Sequence, residues 1–311
     1  MNQSHLAVDV LGPAPRPVSA TVDGITLSAL ASWVPQPRAV VLALHGGATD
    51  STYFDCPGRP GLSLLRLGAA LGFTVLALDR PGYGVSHGHA HQLTDPARRL
   101  DLAYAALDGF LASRPRGAGV FLIAHSAGSE LGMRMAADER GRELLGLEFA
   151  GTGLRHHPRS ASLLELDGPD LRRSPRARAR LRDALWGRGE LYPPEIFGGS
   201  SIGAASPAYE SEARDWVHEF PELAARVRIP VSYTLGDHEE VWSSGPDALA
   251  DIASLFTAAP RVSVSEQADS GHNLSVGHSA RAYHLKVLSF AEECAVAREN
   301  VSSRTRQGRA G

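Results

Sequence analysis

Ala124-His125-Ser126-Ala127-Gly128 has the form small-x-Ser-x-small. A serine framed this way can act as a nucleophile when a sharp turn lifts its hydroxyl clear of the backbone. The residues two before and two after must be tiny, because a strand and a helix pass close together there. Ala124 and Gly128 meet that demand, although Gly is more usual than Ala at the first position. A hydroxyl is a weak nucleophile and needs a base to take its proton. The base in turn needs a carboxylate to orient it. Gly84-Val85-Ser86-His87-Gly88 and Gly199-Ser200-Ser201-Ile202-Gly203 repeat the same spacing. Neither follows an apolar strand or opens a helix with an apolar stripe, so context selects Ser126.

Val120 to Ile123 is an unbroken apolar run, which suits a strand buried on both faces. After the serine, Leu131 and Met135 stand four apart while Glu130 and Arg134 occupy another side, which is helical spacing. The same rhythm recurs along the chain. Val18 to Val34 alternates about Asp23-Gly24 and predicts an antiparallel hairpin. Ala39 to Leu44, Thr74 to Leu78, Leu145 to Ala150, Val231 to Leu235 and Arg261 to Ser265 predict strands. Helices are predicted over 62–71, 98–111, 248–256 and from Ser279 to about Ala297. Short apolar strands alternating with helices argue for an α/β fold with a mostly parallel sheet covered on both faces. In such sheets, sites gather beyond the carboxyl ends of the strands. His45, Asp79, Ser126, the Asp237-His238-Glu239-Glu240 turn and His272 all fall just past a predicted strand end.

The order serine, acid, histidine, together with His45-Gly46-Gly47, Asp79-Arg80-Pro81-Gly82-Tyr83-Gly84, the turn at Ser126 and Ser270-Gly271-His272-Asn273, resembles the α/β-hydrolase superfamily. The resemblance covers residues 18–151 and 229–297. It implies an α/β-hydrolase fold with helices on both faces of the sheet and a helical lid. It also implies a catalytic Ser126, with His272 as its base. The family's acid stands three residues after the strand-end glycine, which here is Glu239 where most members carry Asp; Asp237 and Glu240 are rivals. Backbone N–H groups must stabilise the oxyanion of acyl transfer. Ala127 supplies one, and the resemblance offers Gly47, or Ala48, for the other. The activity implied is a serine hydrolase acting on an ester or thioester of a small-molecule acyl substrate through an acyl-enzyme. The alternatives are a C–C bond hydrolase, acyltransferase or cyclase of specialised metabolites, and a non-catalytic ligand-binding member. No metal or organic cofactor is implied.

The remaining expectations concern organisation and surroundings. The chain has 311 residues, 43% of them hydrophobic, with a net charge of −3. That balance gives no global attraction to nucleic acid or to membranes. No apolar run reaches the roughly 20 residues of a membrane span, and residues 1–20 lack the pattern of a signal peptide. Cys56 and Cys294 form neither a disulfide framework nor a metal motif, so a cytoplasmic, reduced setting is expected. Residues 1–16 read as an arm, 17–152 and 229–297 as the core, 153–228 as an inserted lid and 298–311 as a disordered tail. His87, His89 and His91 alternate without a carboxylate or cysteine at ligand spacing, and read as a solvated loop. Leu171 to Arg188 holds seven arginines. It reads as the wet face of a lid helix with Leu181 and Leu185 facing in, and alternatively as a binder of phosphate or carboxylate on a substrate carrier.

Overall fold

Residues 11–164, 174–211 and 216–310 are described in the computed structural model of the chain. The apolar runs become strands: β3 (Val40–Leu44), β4 (Thr74–Leu78), β5 (Val120–His125), β6 (Gly146–Ala150), β7 (Val231–Gly236) and β8 (Val262–Gln267). The expected hairpin is β1 (Arg16–Val22) and β2 (Ile25–Ser32), turning at Asp23-Gly24. The eight strands make one sheet in the order β1-β2-β4-β3-β5-β6-β7-β8. β1 and β2 pair antiparallel, β2 joins β4 antiparallel, and every pairing from β4 to β8 is parallel. β3, β4 and β5 are buried along their whole length, because helices cover both faces. Alternate residues feed two separate cores. Val40, Leu42 and Leu44 enter one, and Val41 and Ala43 enter the other.

The first core is closed by α2 (Pro96–Leu111) and α3 (Gly128–Ala137), the second by α1 (Leu64–Ala70) and α8 (Ala280–Ala310). Caps set the starts of α1 and α2. The Ser63 hydroxyl accepts from Arg66 N, and Asp95 accepts from Ala97 N with Pro96 at the first helical position. α7 (Pro246–Leu255) follows β7 and packs on the first core.

Residues 153–228 contain α4 (Pro158–Leu164), α5 (Pro175–Trp186), short 3-10 turns and α6 (Trp216–Arg226). Two expected boundaries change. α6 was counted with the lid, but Phe220, Leu223, Ala224 and Val227 pack into the first core, and the Phe220 ring lies edge-on to Phe149 of β6. It is the crossover helix that parallel strands β6 and β7 require. Pro221 stands inside this helix. The closing helix also runs on through the segment expected to be disordered, to Ala310. Arg298 bonds to the Leu144 carbonyl at 3.0 Å, and Glu299 pairs with Arg38, so the first turn past Ala297 is tied to the core. Residues 1–10 of the expected arm, and Leu171, Arg172 and Arg173 of the arginine run, lie outside the described residues. The histidine run lies on a 3-10 helix, Gly84–Gln92, and not in an open loop. Cys56 and Cys294 are free and buried. No helix among the described residues is long and apolar enough to cross a membrane.

Glu148 is fully buried on β6, where the Tyr283 hydroxyl of α8 donates to it at 3.2 Å. Burial lifts its carboxyl from 4.5 to about 7, despite hydrogen bonding to Ser232, Thr234 and Tyr283. A carboxyl raised in the folded state stabilises the fold at low pH and loses that contribution as the pH rises through its folded value. Wild-type stability, measured against Glu148→Gln by urea unfolding, should therefore fall between pH 4.5 and pH 7 and level off above it. A difference that stays flat with pH would contradict this account.

Candidate active site

Ser126 follows the last residue of β5 and precedes α3. Its φ is +50°, a left-handed conformation that a residue with a Cβ seldom adopts. The turn is fixed from both sides: Ser126 N donates to Ala150 O at 2.8 Å, and Ser129 N donates to Ser126 O at 2.8 Å. α3 then starts hard against β3. A Cβ added at Gly128 would lie 2.4 Å from His45 O and 2.6 Å from Leu44 O. Only glycine fits there, which is the physical content of the small residue after the serine.

His272 sits on the turn after β8, and Glu239 on the turn after β7. The Ser126 hydroxyl lies 3.0 Å from His272 Nε2. His272 Nδ1 donates to both Glu239 oxygens, at 3.1 and 3.0 Å. That bond places the ring proton on Nδ1 and leaves Nε2 as an acceptor toward the serine. The imidazole and the carboxylate are both almost wholly buried. Glu239 is held in place by Val241 N at 2.8 Å and Trp242 N at 3.4 Å, so its longer side chain is absorbed by its own loop. The two rivals are used elsewhere. Asp237 accepts from Asp269 N and Ser270 N and so joins the two loops, while Glu240 pairs with Arg159.

Gly46 and Gly47 lie against the serine turn. A Cβ at Gly46 would stand 3.2 Å from Ser126 Cβ, and one at Gly47 would stand 3.6 Å from Ala127 Cβ. The Gly46 carbonyl accepts from His45 Nδ1 at 2.8 Å, Arg80 Nη2 at 3.0 Å and Thr49 Oγ1 at 3.1 Å. Three donors fix that peptide plane, and in a trans peptide the Gly47 N–H points the opposite way. Among the described residues, neither the Gly47 nor the Ala127 N–H donates to a protein acceptor. Ala48 is different: its N–H already donates to Tyr83 and Ser206 hydroxyls, at 3.2 and 3.1 Å. Ala127 also caps the start of α3, where the helix leaves unpaired N–H groups and partial positive charge.

Several supporting contacts carried no sequence signal. Arg80, in the Asp79–Gly84 motif, is buried and bonded to Glu210 of the 153–228 segment. Burial opposes the Arg80 charge, but the Glu210 carboxylate outweighs it, and the guanidinium stays firmly protonated. The same inserted segment bonds Ala204 N to Ala48 O at 2.9 Å and Tyr209 to Pro81 O. Nothing in the sequence links Glu210 to Arg80, 130 positions away. His125 stacks on Tyr53 and donates from Nε2 to the His272 carbonyl at 2.8 Å. Burial, and then the neighbouring His272, press its pKa down to about 3, so it is a neutral support. Gly151, at a φ of +63°, leaves room for both rings: a Cβ there would meet His125 Nε2 at 2.7 Å. On the other side, Asn273 donates to the Leu185 carbonyl at 2.8 Å, tying α5 to the histidine turn.

A cavity of about 260 Å³ opens over Ser126, walled by Gly46, Gly47, Leu181, Leu185, Trp186 and neighbours. Leu181 and Leu185 face in, as their spacing suggested. His87 is exposed and bonds to Gly82 O at 3.2 Å, and no three His, Cys, Asp or Glu side chains among the described residues are grouped to hold a metal.

A profile described as "Alpha/beta hydrolase family" matches residues 40–283. A comparison with curated protein sequences finds no match. Among solved structures, the chain is similar to a bacterial membrane phospholipase A, with 17% identity and a TM-score of 0.65, covering 89% of this chain and 87% of the other. It is similar to a thermostable carboxyl esterase from Bacillus coagulans in complex with glycerol, with 18% identity and a TM-score of 0.64, covering 91% and 99%. It is also similar to a thioesterase domain from the curacin biosynthetic pathway, with 20% identity and a TM-score of 0.58, covering 89% and 100%. At these identities the likeness is one of fold.

Removing one partner of a buried ion pair strands the other charge. Glu210→Ala should therefore lower stability by about 3 kcal/mol. Urea unfolding measures it, and a loss no larger than that of an exposed substitution such as Arg59→Ala would show that the pair is not holding the loop.

Proposed function

Because the chain belongs to the alpha/beta hydrolase family, we propose that it is a serine hydrolase that cleaves an ester or thioester through an acyl-enzyme. The observation that carries this reading is the continuous hydrogen-bonded line from Ser126 through His272 to Glu239. Ser126 Oγ attacks the substrate carbonyl carbon, and its proton passes to His272 Nε2. Glu239 holds the ring in the required tautomer and stabilises the imidazolium that forms. The Gly47 and Ala127 N–H groups receive the oxyanion. His272 then returns its proton to the leaving group, the carbon–oxygen or carbon–sulfur bond breaks, and Ser126 is left acylated. A water molecule, deprotonated by the same imidazole, releases the acid and restores the serine.

The reading gives Asp237 and Glu240 structural tasks, and it prefers Gly47 over Ala48 as a donor because the Ala48 N–H is already engaged. Esterase and thioesterase neighbours of the same fold agree with acyl transfer to water. A binding-only role fits less well, since such a role needs no serine in contact with a carboxylate-oriented imidazole.

A fluorophosphonate probe followed by peptide mass spectrometry tests the assignment. Label should appear on Ser126, vanish in Ser126→Ala and fall sharply in His272→Ala. With p-nitrophenyl butyrate, Glu239→Gln should lower kcat on the order of 10³- to 10⁴-fold, because the ring loses its enforced tautomer. Folded protein that takes no label, or takes it on another serine, would sink the proposal.

A further inference from the structure

α5 carries much of the arginine run, and its face toward the cavity is apolar with one exception. Leu181, Leu185 and Trp186 line the cavity, and so does Arg182. At 3.6 residues per turn, Arg182 stands on the same face as Leu185 and Trp186, three and four positions on. Arg180 falls on the opposite face; both side chains are exposed, Arg182 at the mouth of the cavity. The face of the helix is held, because the Leu185 carbonyl is bonded by Asn273 and Trp186 packs against Tyr192. Other arginines of the inserted region have found carboxylates: Arg155 pairs with Asp251, and Arg159 with Glu240. Arg182 shares no ion pair with a carboxylate among the described residues. Among the described residues no Asp or Glu lines the cavity, and Arg182 is the one Arg or Lys in its wall.

We infer that Arg182 is a specificity-determining residue that binds an anionic group of the substrate, a phosphate or a carboxylate, at the rim of the cavity over Ser126. This rests on the hydrolase reading above. An apolar cavity of about 260 Å³ suits a short apolar acyl chain. A guanidinium at its edge offers a planar fork of donors that matches either anion. The anion has two possible sources. It is a phosphate on the leaving-group side, as in a thioester on a phosphate-bearing carrier, or a carboxylate on the acyl chain.

The test compares an anionic with a neutral substrate in each arm. Butyryl-coenzyme A is set against p-nitrophenyl butyrate for the phosphate source, and p-nitrophenyl hemisuccinate against p-nitrophenyl butyrate for the carboxylate source. In one arm, Arg182→Gln should cut the ratio of kcat/KM values, anionic over neutral, roughly tenfold or more, through KM. Arg180→Gln should leave both ratios unchanged. Both ratios unchanged in Arg182→Gln, or an equal loss in Arg180→Gln, overturns the inference. A binding arm separates it from the hydrolase reading. Coenzyme A or succinate should bind Ser126→Ala protein in calorimetry, and bind more weakly once Arg182→Gln is added. Binding of this kind without turnover of any ester by the wild type would defeat the hydrolase reading and leave the anion site standing. Hydrolysis with no dependence on Arg182, and no binding of either anion, would do the reverse.

Discussion

Ser126 is held at a φ of +50°, in a conformation that stores on the order of 1–3 kcal/mol and survives only where its surroundings demand it. The demand comes from two directions. β5 delivers the chain into the turn with Ser126 N still bonded to β6, and α3 must leave at once because Gly128 touches the backbone of β3. Strand and helix leave the serine no other path than outward, above the carboxyl edge of the sheet. The remainder of the site is arranged about that fixed oxygen.

What surrounds the oxygen is a set of loops that lock one another. The turn after β7 brings Glu239, and the turn after β8 brings His272; Asp237 bonds the second turn to the first. His125, beside the serine, bonds the carbonyl of His272, so the imidazole is referenced directly to the turn it serves. The Gly46–Gly47 peptide is oriented through its carbonyl by three donors, one of them Arg80. Preorganised dipoles of this kind need no rearrangement when charge develops nearby.

The inserted region does more than cover the site. One part of it, near Ala204 to Glu210, is bonded to the Gly46–Ala48 loop and buries a carboxylate against Arg80. Another part, the end of α5, is bonded to the histidine turn through Asn273. Residues 153–228 are thus bonded on both sides of the candidate site. The cavity-lining residues around Arg182 stand on the same helix as Leu185, whose carbonyl Asn273 holds.

The sequence by itself determined the sheet and the identity of Ser126, Glu239 and His272 as candidates. Apolar runs such as Ala39 to Leu44 and Val120 to Ile123 announce buried parallel strands, and strand ends are where such sheets gather chemistry. Local patterns read well because they follow from the repeat of a strand or a helix. Tertiary structure alone decided the rest. It aimed Glu239, and not Asp237 or Glu240, at His272, because three carboxylates within four residues differ only in where the loop aims them. It engaged the Ala48 N–H with Tyr83 and Ser206 and left the Gly47 N–H without a protein acceptor among the described residues. It moved α6 out of the lid, since Phe220 meets Phe149. It carried the last helix past Arg298, whose partners lie on the loop before β6. And it joined Arg80 to Glu210 across 130 positions, since a buried guanidinium takes whichever carboxylate the fold delivers, and no local period records that.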